Sequence, residues 1–333
     1  MTTTDNRKTV YLHIGFFKTG STAIQNFLTG HRALLLEQGY FYPDLGSHDH
    51  FCIPAKMAKE AGSPVPPDTL VSKCTRSSEE LWEHVLTEFE SSSVANLVLS
   101  AETFSDFSFS DTSSELVQAV GSRLSRYNVK VILYLREHIP YIRSLYQEVI
   151  KVHGAYLSEA AFILNHVEGW HMNFAWTLKY WSEVFGEENM IVDRYLGKEY
   201  GGHGLFEDFL GKIGLQWSDE LRIPPRGKSN VGISREWVES KRIFNMLENA
   251  GAPLHVFVES MSNPERLSEE SVEYINNKIA SDVELINRDS SIRSPLGVSR
   301  LSAAEIDCSN LNYDRIYTQS VLLLLGRLLR SSR

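Results

Sequence analysis

The run VKVILYLRE at residues 129–137 restricts the fold more than any other stretch of the chain. From Val131 to Leu135 every side chain is aliphatic or aromatic. A strand built this way has no face suited to water, so it belongs inside a parallel sheet covered on both sides. NLVLSAE (96–102) repeats the pattern, and TVYLHIGF (9–16) and NMIVDRY (189–195) read as two more strands. Helical periodicity fills the intervals near 20–38, 78–92, 113–127, 138–151 and 172–186. This alternation predicts an α/β fold with helices on both faces of an open parallel sheet. Right-handed crossovers would bring every strand's carboxyl end to one edge, where such sheets bind ligands.

Composition narrows the partners. With 42% hydrophobic and 23% charged side chains, the 333 residues suffice for one large domain, or one plus a helical appendage. A net charge of −9 without any Lys/Arg block speaks against an extended nucleic-acid surface, so any anion site must be local. Cys52, Cys74 and Cys308 are too few and too scattered for a disulfide framework or a zinc cluster. They read as buried or inert thiols in a reducing compartment. MTTTDNRKTV lacks the apolar core of a signal peptide, and VLLLLGRLL near the C-terminus is too short to cross a bilayer and contains Arg327. The expected location is cytoplasmic, with no integral membrane segment.

The first strand runs into HIGFFKTGSTAIQNFL (13–28). Gly15 and Gly20 let the backbone turn tightly and let an oxyanion approach the N–H groups at the helix start. Ser21 and Thr22 add hydroxyl donors and Lys18 a full positive charge. The spacing of the glycines is that of a Walker A loop, G-x-x-x-x-G-K-[ST]. Here, however, Ser21 stands at the lysine position and the lysine has moved to 18. No strand ends in a clear Walker B aspartate. A lysine inside the loop lies beside the leaving-group side of a bound phosphate. The architecture expected is therefore a P-loop-like three-layer sandwich plus a C-terminal helical extension.

A second anion element follows the strand at 129–137. Arg136 sits at its carboxyl end, Pro140 suits the first turn of the next helix, and Ser144 lies one turn on. Two separate oxyanion elements suit a ligand with two phosphate-type groups. At this point the chain resembles the sulfotransferases that use 3′-phosphoadenosine 5′-phosphosulfate (PAPS), most closely the bacterial carbohydrate type. Lys18, Thr19, Gly20, Ser21 and Thr22 match the family's loop for the 5′-phosphosulfate, and Arg136 with Ser144 match its 3′-phosphate pair. TLKYWSEVFGEENMIVDRY (177–195) and LFEDFLGKIGL (205–215) extend the resemblance, which covers about residues 9 to 235. It implies a PAPS-binding core over 1–235, with 236–333 as a helical segment packed on it. That segment is expected to cover the acceptor cleft, to cap the core or to form a homodimer surface. PPRGKSN (224–230) falls where the family places another basic loop, which makes Arg226, Gly227 and Ser229 candidates for the same phosphate.

Sulfuryl transfer needs in-line positioning, stabilisation of the leaving group and a base for the acceptor hydroxyl. Lys18 is the candidate for the leaving group. Glu102, at the end of LVLSAETF (97–104), is the first candidate for the base. His48 and His50 in GSHDHF (46–51) are the alternative, for base chemistry or acceptor contact; no third ligand at a familiar spacing makes them a metal site. His13 reads as a core or supporting histidine. Trp170, Trp176, Tyr180 and Trp181, like Tyr141 and Tyr146, read as core rather than as platforms for sugar rings. The resemblance implies PAPS as co-substrate with PAP as product, no required metal, and a carbohydrate, glycolipid or other hydroxyl-bearing acceptor. An atypical P-loop kinase and a non-catalytic PAP- or glycan-binding protein are the competing readings.

Overall fold

The structure, a computed structural model, describes residues 7–63, 71–109, 113–218, 220–221, 234–249, 267–288 and 292–302. The end of the helical segment expected over 236–333, Cys308 with it, and the loop carrying Arg226, Gly227 and Ser229 lie outside them. The chain forms two compact units. The first falls within Met1–Arg136, Phe174–Arg226 and Val283–Gly297; the second falls within Glu137–Asn173, Gly227–Asp282 and Val298–Arg333.

The first unit is a helix-flanked sheet of five parallel strands in the order β2-β3-β1-β4-β5. These are β1 Thr9–His13, β2 Tyr40–Phe41, β3 Asn96–Ser100, β4 Asn128–Leu135 and β5 Met190–Arg194. From Val131 to Leu135 strand β4 is buried without a break, as its composition demands. His13 of β1 stands opposite Ser100 of β3 on one side and Ile132 of β4 on the other. The chain leaves β1 toward β2 and leaves β4 toward β5. Connections therefore part in opposite directions at the neighbouring ends of β1 and β4, the topological switch point where open sheets bind ligands.

The helices of this unit up to β4 are α1 Ser21–Gly30, α2 Arg32–Glu37, α3 Cys52–Glu60, α4 Ser78–Ser91 and α5 Ser113–Leu124. The single helix expected over 20–38 is two. Gly30 and His31 end the first, and His31 Nδ1 bonds the Phe27 carbonyl at 2.7 Å in the frayed turn. Helix α4 starts on a capping box in which Ser77 and Glu80 each satisfy the other's backbone N–H. Cys52 at the start of α3 and Cys74 are disulfide-bonded, with Cα atoms 5.5 Å apart, so neither is the free thiol read from the sequence. Their pairing depends on a fold-made proximity across 22 residues of chain.

The second unit holds α6 His138–Val152, α7 Glu159–His166 and, beyond the first unit's α8 Phe174–Phe185 and α9 Gly204–Lys212, α10 Arg235–Asn249. Helix α11, Glu269–Arg288, contributes its residues up to Asp282. Polar groups stitch this unit together. Buried His138 Nε2 meets Asp282 at 2.8 Å, Glu159 takes Arg143 at 2.9 Å and Arg235 at 3.4 Å, and Asn245 donates to Ile150 and Ala155 carbonyls. Trp181, Tyr141 and Tyr146 are buried as expected, whereas Trp176 is 49% exposed and does not belong to the core. Among the described residues no helix is long and apolar enough to cross a membrane.

Candidate functional site

The loop after β1 has an unusual backbone. Gly15, Lys18 and Gly20 all have positive φ (39°, 64° and 84°), and Lys18 is the only non-glycine with this geometry among the described residues. A lysine held left-handed costs about 1–2 kcal/mol, so the surroundings must enforce it. Thr19 Oγ1 donates to the Phe16 carbonyl at 2.6 Å, closing the turn from inside. Phe16 is buried against Phe174 with ring centroids 4.8 Å apart. From outside, Arg136 Nη1 donates to the Lys18 carbonyl at 3.3 Å.

Helix α1 opens directly from this loop. Its N-cap is Gly20, which offers no side-chain cap, and its first turn carries no acidic residue. The positive end of the helix is therefore left for an anion. Gly20 is sterically required as well: a Cβ there would stand 2.8 Å from the Tyr195 ring and 2.9 Å from Leu205. Thr22 is exposed at the helix start, while Ser21 is buried and turns inward.

Arg136 follows the last residue of β4, so it faces the loop across the switch point. Burial lowers its pKa, partly offset by Tyr195. One N–H is engaged with the Lys18 carbonyl, and the planar fork has further donors for an oxyanion.

On the other side of β1, strand β3 delivers Glu102. Its Cγ would be 3.5 Å from a Cβ on Gly15, and its Oε1 accepts from Ser21 Oγ. Burial raises the Glu102 pKa; hydrogen bonds from Ser21 and Gln25 and the neighbouring His48 oppose that, while Asp49 adds to it. Gln25 also donates to Ser100 Oγ at 3.2 Å, and Ser100 shares a 2.8 Å hydrogen bond with His13 Nδ1. His13 is buried, which holds its imidazole near a pKa of about 3 and hence neutral. Asp106, in the same 3-10 turn as Glu102, is buried too, and burial followed by the Glu102 charge raises its pKa well above the usual range.

The two loop histidines separate. His48 is half-buried near Glu102, and its carbonyl is clamped by Tyr42 Oη (2.7 Å) and Thr29 Oγ1 (3.1 Å). His50 is fully buried. Its Nδ1 accepts from the Ser100 N–H at 2.9 Å and its Nε2 donates to the Pro43 carbonyl at 3.0 Å. Both nitrogens are thus engaged by backbone, and burial lowers its pKa to about 4. The expected part for His50 as base or acceptor contact does not fit this arrangement; it pins the 43–50 loop to β3.

The switch point thus gathers Gly15, Lys18, Thr19, Gly20, Ser21, Thr22, Arg136 and Glu102 within the first unit. Ser144 is half-buried on α6 in the second. Gln25 and Asp106 were missed in the sequence. Gln25 carried a signal: it interrupts the apolar stripe Ile24, Phe27, Leu28 one turn after Ser21, and a polar residue on a buried face needs a partner. Asp106 resembled any carboxylate in a polar turn.

No protein-family model matches the chain, and no curated protein matches it. Similar solved structures include a sulfotransferase from Alicyclobacillus acidocaldarius, 12% identical with a TM-score of 0.43, over 74% of this chain and 98% of that one. A sulfotransferase domain from the curacin biosynthetic pathway is 13% identical with a TM-score of 0.38, over 82% and 97%. A sulfotransferase domain from the Synechococcus PCC 7002 olefin synthase is 11% identical with a TM-score of 0.42, over 78% and 96%.

Proposed function

We propose that the chain is a sulfotransferase that moves a sulfuryl group from PAPS to a hydroxyl of a carbohydrate or glycolipid acceptor. One observation carries the reading: the Arg136 guanidinium is aimed at the lysine-bearing glycine loop, with a half-buried carboxylate on the loop's other flank. Two cationic groups on neighbouring strand ends suit the two phosphate groups of one adenine nucleotide. In this reading the α1 N-terminus and Lys18 hold the 5′-phosphosulfate, and Arg136 takes the 3′-phosphate. Ser144's share in that phosphate, and those of Arg226, Gly227 and Ser229, rest on the motif spacing alone.

The reaction forms a bond from the acceptor oxygen to sulfur as the bond from sulfur to the 5′-phosphate oxygen breaks. Negative charge grows on the leaving oxygen, where Lys18 and the loop N–H groups would stabilise it. The acceptor's proton goes to Glu102. A carboxylate whose pKa burial has raised is a better proton acceptor than one in water. His48, beside Glu102, is the candidate for acceptor contact.

The test is transfer from radiolabelled PAPS to a panel of sugars, glycolipids and small phenols. Wild-type protein should label a carbohydrate or glycolipid, and Lys18→Ala should reduce labelling by at least roughly 100-fold while melting within a few degrees of wild type. Normal turnover by Lys18→Ala would refute the assignment.

A further inference from the structure

We propose that the Ser21 hydroxyl is shared between Glu102 and the donor's phosphosulfate, so that filling the loop frees Glu102 to act as base. The inference rests on the sulfotransferase reading above. Ser21 is the first residue of α1, and its Oγ donates to Glu102 Oε1. A serine hydroxyl has one proton to donate. An oxyanion seated at the start of α1 would meet the same hydroxyl. Two acceptors therefore compete for one donor. Ser21 is only 2% exposed, so water does not readily replace it.

When Ser21 turns to the anion, Glu102 loses a hydrogen bond that favours its ionised form and becomes more basic. It is not left loose. Gln25, which also favours its ionised form, is anchored on Ser100, which is bonded in turn to His13. Asp49 and His48 from the neighbouring loop, and Asp106 from the same turn, bear on Glu102 before and after and do not distinguish the states. Ser21 is thus a positioning residue that times proton removal to the presence of the donor.

Calorimetric titration with adenosine 3′,5′-bisphosphate tests this on wild type, Ser21→Ala, Glu102→Ala and the double variant. Removing Glu102 also removes charge repulsion, but by the same factor with or without Ser21. Competition predicts that Glu102→Ala tightens binding about 5–10-fold more in the wild-type background than in the Ser21→Ala background. Ser21→Thr, which keeps the hydroxyl, should retain the wild-type coupling. Should Glu102→Ala fail to fold, Glu102→Gln takes its place in the cycle, with the same sign at smaller amplitude. Equal tightening in both backgrounds overturns the shared hydroxyl and leaves the sulfotransferase reading standing. No binding to the wild-type protein overturns both.

Discussion

Lys18 shows how one residue can be held against its own preference. Its left-handed backbone is enforced by Thr19 within the turn and Arg136 outside it, so the lysine is presented at a fixed angle beside the start of α1. Glu102 is held against its preference in another sense, because burial raises its pKa. The folded chain therefore keeps the proton on this group to higher pH than the unfolded chain does. Its contribution to stability is full below the unfolded value and is lost as pH rises through the folded one. In the proposed role activity runs the other way, since a base must be ionised. The acid limb of kcat/KM should lie above the ordinary glutamate range of about 4.3. Glu102→Gln should remove that limb, lower transfer by roughly 10²–10⁴-fold, and raise the melting temperature at neutral but not at acid pH. An unchanged acid limb in Glu102→Gln would assign the base elsewhere.

At the scale of elements, the junction of the loop and α1 is the most constrained. Gly20 combines a φ of 84° with contacts that leave no room for a side chain. Gly20→Ala should lower stability by roughly 2–4 kcal/mol in urea denaturation, from left-handed strain plus overpacking against Tyr195 and Leu205. A loss below about 1 kcal/mol would mean that this junction yields easily. The strands and longer helices were legible in the sequence because period and composition agree there, as in the unbroken apolar run of β4. The two-residue β2 was not, being too short to show a period. Nor was α3, where Pro54 reads as a breaker although it sits in the first turn, where proline is tolerated. His50 was misjudged for a related reason. A polar stretch such as GSHDHF gives no local sign that it folds back on β3 and buries one of its histidines.

For the molecule as a whole, a net charge of −9 is compatible with an anionic ligand because the cationic groups are few and local. The glycine loop and Arg136 were readable in advance because backbone chemistry dictates glycine and charge dictates arginine. The disulfide, the Gln25–Ser100–His13 support and the buried Asp106 arise only when distant segments meet. The central claim is that one nucleotide is gripped by both of its phosphate groups, one on the loop and one on Arg136. Comparing the affinities of adenosine 3′,5′-bisphosphate and adenosine 5′-monophosphate by calorimetry tests it most directly. Wild type should prefer the bisphosphate by about 10–100-fold, and Arg136→Ala should shrink that preference to a few-fold. Equal affinity of wild type for both nucleotides, or an undiminished preference in Arg136→Ala, would contradict it.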